Sequence, residues 1–190
     1  MSAAQPGTDG VLRCPWGNTT EDYAAYHDEE WGVELHGEAA LYERLSLEAF
    51  QSGLSWLTIL RKREGFRRAF AGFEPKKVAE FGPEDVERLM NDASIVRNRA
   101  KIDATIRNAQ AIAELDTPLD ELLWSFAPKG RRRRPKQLSD VPAITDESKA
   151  MAKALKKRGF AFVGPTTAYA LMQATGMVDD HLTGCWRARR

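Results

Sequence analysis

The stretch from Cys14 to Gly32, CPWGNTTEDYAAYHDEEWG, gathers one of the chain's two cysteines, one of its three histidines and two of its five tryptophans. Its counterpart is HLTGC, which carries His181 and Cys185. Together Cys14, His27, His181 and Cys185 form a Cys2His2 set. Four such ligands with no spare position suit a structural zinc ion rather than a catalytic one. The first pair is spaced too widely for a zinc-finger knuckle, whereas His181 and Cys185 stand four apart, as residues on one helix face do. Taken alone, these residues leave two other readings open. The cysteines could be small buried apolar groups, or they could form a disulfide, which is unusual inside cells.

A second constellation surrounds Glu48. Gln51 and Ser52 follow it by three and four residues and so share its helix face, and Trp56 comes just beyond Gly53. With Tyr23 and Tyr26, these residues could line a pocket for a flat cationic ring. Aromatic faces attract cations by roughly 0.5–2 kcal/mol, and a carboxylate can accept from an amino group and a ring N–H. The plain alternative is a surface Glu48 paired with Arg44, with the aromatics packing a small lobe. A third stretch, DASIVRNRAKIDA from Asp92 to Ala104, reads from its residues alone as a turn between two helices.

The elements that must position these groups are helical. Apolar residues at 41, 42, 45, 47, 49 and 50 predict a helix over Glu38 to Phe50. Further helices are expected over Leu54–Glu64, Phe66–Phe73, Lys76–Glu80 and Pro83–Asn91, the last with proline at its start. A long helix follows over Val96–Leu115, with Ile102, Ile106, Ala109 and Ile112 inward. Thr20 is expected to cap a helix carrying Tyr23, Tyr26 and His27 on one face, and Thr145 or Asp146 to cap another. Phe160 to Pro165 reads as extended, and no alternating strand pattern is evident. Residues 1–12, small and polar with Pro6, Gly7 and Gly10, read as a disordered tail.

The chain has 190 residues and a net charge of +1, enough length for a real core in one domain or two packed lobes. The near balance of charge does not itself announce nucleic acid. Lys129, Arg131 to Arg134 and Lys136 nevertheless form a dense basic run, as do Arg187, Arg189 and Arg190. The longer run suits either nonspecific phosphate contact or a solvated loop. No stretch approaches a membrane span, no secretory leader is evident, and two cysteines are too few for a disulfide framework. The chain reads as cytoplasmic.

Taken together, several blocks resemble the 3-methyladenine DNA glycosylase I family. They are RCPWGNTTEDYAAYHDEEWG (13–32), LEAFQSGLSWLTILRKRE (47–64), IVRNRAKI (95–102), MAKALKKRGFAFVGPTT (151–167) and MQATGMVDDH (172–181), in family order from Arg13 to Cys185. The resemblance implies a mainly α, helix–hairpin–helix DNA glycosylase fold. A structural zinc on Cys14, His27, His181 and Cys185 would tie the N- and C-terminal regions together. It implies a zinc-binding lobe from 13–36 plus 116–190 and a helical lobe from 37–115. It also implies a monofunctional glycosylase that flips 3-methyladenine out of alkylated double-stranded DNA and hydrolyses its N-glycosidic bond. On this reading Glu48 is catalytic and Tyr23, Tyr26 and Trp56 stack around the base. Leu54 fills the gap in the duplex, and Ser94, Arg97, Arg99 and Lys101 meet the DNA backbone at a hairpin over 94–98.

Two departures from the family pattern are visible. Ser94 stands where glycine is common, and Ala49 and Phe50 stand where Gly-Gln is found. The family lacks the aspartate that other helix–hairpin–helix glycosylases use, so neither Asp116 nor Asp120 is assigned. No lysine nucleophile is assigned either, and no strand cleavage is expected. A monomer is expected. The readings from other classes are a non-catalytic module that binds alkylated or distorted DNA and a zinc hydrolase; four protein ligands with no open position argue against the latter.

Overall fold

The computed structural model describes residues 3–130 and 133–189. Arg131, Arg132 and Arg190 of the two basic runs lie outside them. Among the described residues there are nine α-helices: α1 (Glu21–Glu29), α2 (Glu38–Gln51), α3 (Trp56–Ala69), α4 (Pro75–Ala79), α5 (Pro83–Met90), α6 (Arg99–Ala113), α7 (Leu119–Trp124), α8 (Asp146–Lys157) and α9 (Pro165–Ala174). The mainly helical reading therefore holds. Among the described residues, no helix is long and apolar enough to cross a membrane.

The centre of the fold is α2. From Arg44 to Phe50 every residue is buried, so this half of the helix has no solvent face, as expected for a helix enclosed by others. It packs against α3 and α6 from the expected helical lobe and against α7 and α9 from the other. One hydrophobic cluster accordingly joins Leu41, Leu45 and Phe50 to Leu123, Met151 and Leu171. Arg44, Ser46 and Glu48 are polar residues within this buried length. Ser46 returns its hydroxyl to the Tyr42 carbonyl at 2.7 Å; Arg44 and Glu48 belong to the site described below. Phe50, one of the two departures from the family pattern, fills core space against Phe66 and Phe70.

The helix starts follow local chemistry. Ser55 accepts from the Thr58 amide at the head of α3, and Asn98 from the Lys101 amide at the head of α6. Thr145 and Ser148 form a reciprocal capping box on α8. Proline opens α4, α5 and α9, where its missing N–H costs nothing.

Two expectations are corrected. Residues 3–12 are not a free tail: Gln5–Pro6 (β1) pairs antiparallel with Leu12–Arg13 (β2), and Asn18 donates to the Gln5 carbonyl at 2.8 Å. The separate helix expected at Phe66–Phe73 instead continues α3 through Gly65 to Ala69. Gly65 does not break the helix; it lets another chain segment approach. A Cβ there would stand 2.5 Å from the Ser94 carbonyl oxygen. Gly65→Ala is expected to lower stability by about 1–3 kcal/mol through overpacking, which a urea melt would measure. An unchanged midpoint would mean that the 91–98 turn yields freely.

Candidate functional site

A cavity of about 330 Å³ opens beside α2, walled by Trp16, Tyr23, Tyr26, Trp31 and Trp56, with Glu48 and Gln51 among its polar groups. The rings touch one another. Trp16 lies 4.9 Å from Tyr23 and 5.0 Å from Trp31, and Tyr26 lies 5.4 Å from Trp56, centre to centre. Glu48 is 6% exposed. Its carboxylate lines the cavity, and no hydrogen bond reaches it from any described residue. Burial pushes its pKa up to about 7, with the nearby Arg44 cation opposing the rise. Burial likewise raises the Tyr23 phenol to about 12.

The alternative, a surface Arg44–Glu48 pair, does not form. Arg44 turns instead to tertiary partners. Its Nη1 donates to the Tyr26 hydroxyl at 2.8 Å and its Nη2 to Glu30 at 3.3 Å. Its guanidinium lies over the rings of Tyr26 and Trp56 at 5.4 and 5.5 Å. Arg63 holds the same Glu30 carboxylate with two hydrogen bonds. Arg44 therefore positions two of the cavity's rings and supplies a nearby positive charge. Gln173 and Asp180 close another part of the wall; Asp180 accepts from Tyr169 Oη and, at 3.0 Å, from Gln173. Sequence reasoning placed Tyr23, Tyr26, Glu48 and Trp56 in a pocket but missed Trp16, Trp31, Arg44 and Asp180 as its walls and supports. The dense aromatic content of 14–32 was the available signal for the two tryptophans. Asp116 and Asp120 do not line this cavity; Asp120 is bound to His36 and the Gly37 amide.

Next to the cavity, the ligand atoms of Cys14, His27 and Cys185 lie within 4.8 Å of one another, all buried. Both cysteines are free thiols. His181 joins them with its ring 5.0 Å from that of His27 and nearly perpendicular to it. Each imidazole is anchored through its outer nitrogen. His27 Nδ1 meets Asp28 at 2.7 Å and His181 Nδ1 meets Asp179 at 2.9 Å. That arrangement fixes which nitrogen faces inward. Asp28 is in turn held by Arg13 and Trp186. The inward His181 Nε2 is buried with no partner among the described residues, an arrangement that ordinarily carries a cost and that a cation would satisfy. Gly17 and Gly32 make room for the rings, since a Cβ would come within 2.8 Å of His27 or 2.7 Å of His181. The neighbouring Cys185 thiol and burial push the Cys14 thiol up, while Cys14 and His27 draw the Cys185 thiol down. Two thiols and an imidazole this close together could hold a soft or borderline metal ion.

The residues expected to meet DNA are dispersed. Leu54 follows the positive-φ Gly53 and is 41% exposed. Between α5 and α6, Ser94 turns both its amide and its hydroxyl onto Asp92 Oδ1, at 2.8 and 2.6 Å. Lys62 of α3 donates to the Ala93 carbonyl, holding the same turn. Arg97 is exposed, and Arg99 pairs with Glu87. Lys101 is the correction: it is 7% exposed. Its Nζ donates to the Phe50 and Ser52 carbonyls at 2.8 and 2.5 Å, so it secures the end of α2 instead of offering a surface cation. Lys101→Met is expected to lower stability by about 1–3 kcal/mol, since it leaves those carbonyls unpaired. It should leave the salt dependence of DNA binding unchanged, whereas a phosphate-binding lysine would shift the log–log slope by about 0.9.

Comparison with known proteins places this geometry. The family described as methyladenine glycosylase matches residues 16–188. DNA-3-methyladenine glycosylase 1 of Escherichia coli is 47% identical over 177 residues, spanning 91% of this chain and 95% of that protein. The chain belongs to the 3-methyladenine DNA glycosylase I family. It is thereby an enzyme of the hydrolases that act on N-glycosyl bonds. A crystal structure of a 3-methyladenine DNA glycosylase I superposes with a TM-score of 0.88 at 44% identity, covering 92% of this chain and 98% of that one. A variant of such an enzyme in complex with 3-methyladenine superposes at 0.85 with 36% identity, covering 92% and 96%.

Proposed function

We propose that the chain is a monofunctional glycosylase that flips 3-methyladenine out of alkylated double-stranded DNA and hydrolyses its N-glycosidic bond, leaving an abasic site. The observation that carries this reading is Glu48. A buried carboxylate that takes no hydrogen bond from any described residue, ringed by aromatic faces, is costly unless a ligand uses it. Methylation at N3 makes adenine cationic, so the base suits both the rings and the carboxylate. The positive charge also weakens the bond to C1′. Water supplies hydroxide to C1′ and a proton to the solvent, and the bonding pair leaves with the base. Glu48 accepts from the base's amino edge as catalytic residue, while Tyr23, Tyr26 and Trp56 enclose it. The damaged base is easier to extrude than a normal one.

Cys14, His27, His181 and Cys185 would hold a structural zinc, which supplies no reaction step and braces α1 against the C-terminal region. The α5–turn–α6 unit serves as the helix–hairpin–helix, with Ser94 at its turn and Arg97 and Arg99 toward the phosphates, and Leu54 fills the vacated place in the duplex. The enzyme acts in the cytoplasm as a monomer.

The test is base release from methylated duplex DNA, with the free base identified by mass and the strands checked for breaks without heat or alkali. Release of 3-methyladenine from unbroken strands is expected. No release of any base by folded protein would leave a module that binds damaged DNA.

A further inference from the structure

A second depression lies outside the site described above. It is an open groove of about 860 Å³ between α6, α8 and the 159–167 segment. Its charged wall is one sign only: Arg107 of α6 and Lys149, Lys153 and Lys156 of α8. The three lysines follow helical spacing and so share one face of α8. Lys149 pairs with Asp146 at 3.3 Å, whereas Lys153 and Lys156 are exposed and make no ion pair with any described residue. Gly164, Pro165 and Thr167 at the start of α9 also line the groove.

The 159–162 segment is held rather than loose. Buried Asn108 bonds both the amide and the carbonyl of Ala161, at 2.8 and 3.1 Å, and Arg107 donates to the Gly159 carbonyl at 2.8 Å. The next residue, Phe162, has φ of +59° and is 43% exposed. A bulky residue at positive φ is strained, and a strained aromatic held out into solvent on a braced turn motivates a functional reading.

The groove's position identifies its occupant. Gln51 lines the base cavity and Ser52 lines this groove, with exposed Leu54 two residues on. One turn therefore borders both. A strand whose nucleotide enters the cavity past Gln51 continues past Ser52 into the basic groove.

Resting on the glycosylase reading, we propose that this groove carries the sugar–phosphate backbone of the duplex beside the extruded nucleotide. Lys153 and Lys156 neutralise phosphates there, and Phe162 presses against the adjoining bases or sugars.

The experiment measures affinity for a 20-base-pair duplex containing a tetrahydrofuran abasic analogue across a salt series, by fluorescence anisotropy. Lys153→Gln/Lys156→Gln is expected to lower the log–log salt slope by about 2 and to weaken binding about tenfold at 100 mM salt. Phe162→Gly suits the positive φ. It should melt no lower than wild type, weaken binding about fivefold or more and leave the slope unchanged. Binding of free 3-methyladenine, read by tryptophan quenching, should be unaltered in all variants. Unchanged slope and affinity in the lysine variant, with wild type binding duplex normally, would overturn the groove assignment and leave the glycosylase reading intact. Wild type that releases no base, while the lysine variant still loses duplex affinity, would overturn the catalytic reading and keep the groove.

Discussion

Glu48→Gln is expected to lose base release by about 10- to 150-fold while melting at a higher temperature than wild type at pH 8. The loss corresponds to about 1.5–3 kcal/mol, the range for hydrogen bonds to a charged group. The stabilisation follows from the same burial. The carboxyl has its pKa pushed up to about 7 by the cavity, above its unfolded value of about 4.3. A folded pKa above the unfolded one gives stability that is fully present below the unfolded value and lost as pH rises through the folded one. Well above pH 7 the ionised group opposes folding by about 4 kcal/mol, and glutamine removes that opposition. The melting-temperature gain should therefore be near zero at pH 4 and grow through pH 7. The pH profile of kcat/KM for wild type should rise with a midpoint near 7, as the carboxylate forms in the free enzyme. Release unaffected by the substitution would remove Glu48 from the chemistry. A melting difference independent of pH would mean that the carboxyl is not buried in its charged form.

Removing the proposed zinc should have the second large effect. Native mass spectrometry is expected to find one zinc ion per chain, and a chelator or Cys185→Ala should lower the melting temperature by more than about 10 °C, a loss of several kcal/mol. Protons compete for thiolates and imidazoles, so the ion should be released as pH falls. Reducing agent should have no such effect. A melting curve sensitive to reductant and indifferent to chelator would make Cys14 and Cys185 a disulfide instead. Free-base binding should weaken along with the melt, because Cys14 and His27 flank Trp16, Tyr23 and Tyr26.

Helix α2 was legible in the sequence because its apolar spacing is dense and local. The Thr145 cap and the prolines at helix starts were legible for the same reason. Continuation of α3 through Gly65 was not, because only the approach of Ser94 explains a glycine inside that helix. Arg44 illustrates the same limit: four residues before Glu48, it looks like that residue's partner, yet it turns to Tyr26 and Glu30. Lys101 resembled a phosphate contact in a basic stretch, while the carbonyls it satisfies lie about fifty positions earlier. The four soft ligands could be grouped from residue type, but spacing alone could not choose between metal, disulfide and plain burial. The convergence of Cys14, His27 and Cys185, and a His181 nitrogen with no partner among the described residues, are three-dimensional facts.

His27 and Cys185 meet across 158 positions of chain, and this has a consequence for biosynthesis. A ribosome adding about 5–20 residues per second delivers Cys185 on the order of ten to thirty seconds after His27. During that interval a nascent chain already has Glu48 and Trp56, but Gln173 and Asp180 of the cavity wall are not yet made, and His27 has yet to meet His181 and Cys185. The pocket is therefore among the last features to close. A polypeptide that ends before Gln173 thus lacks two residues of the cavity wall and the cysteine that His27 meets.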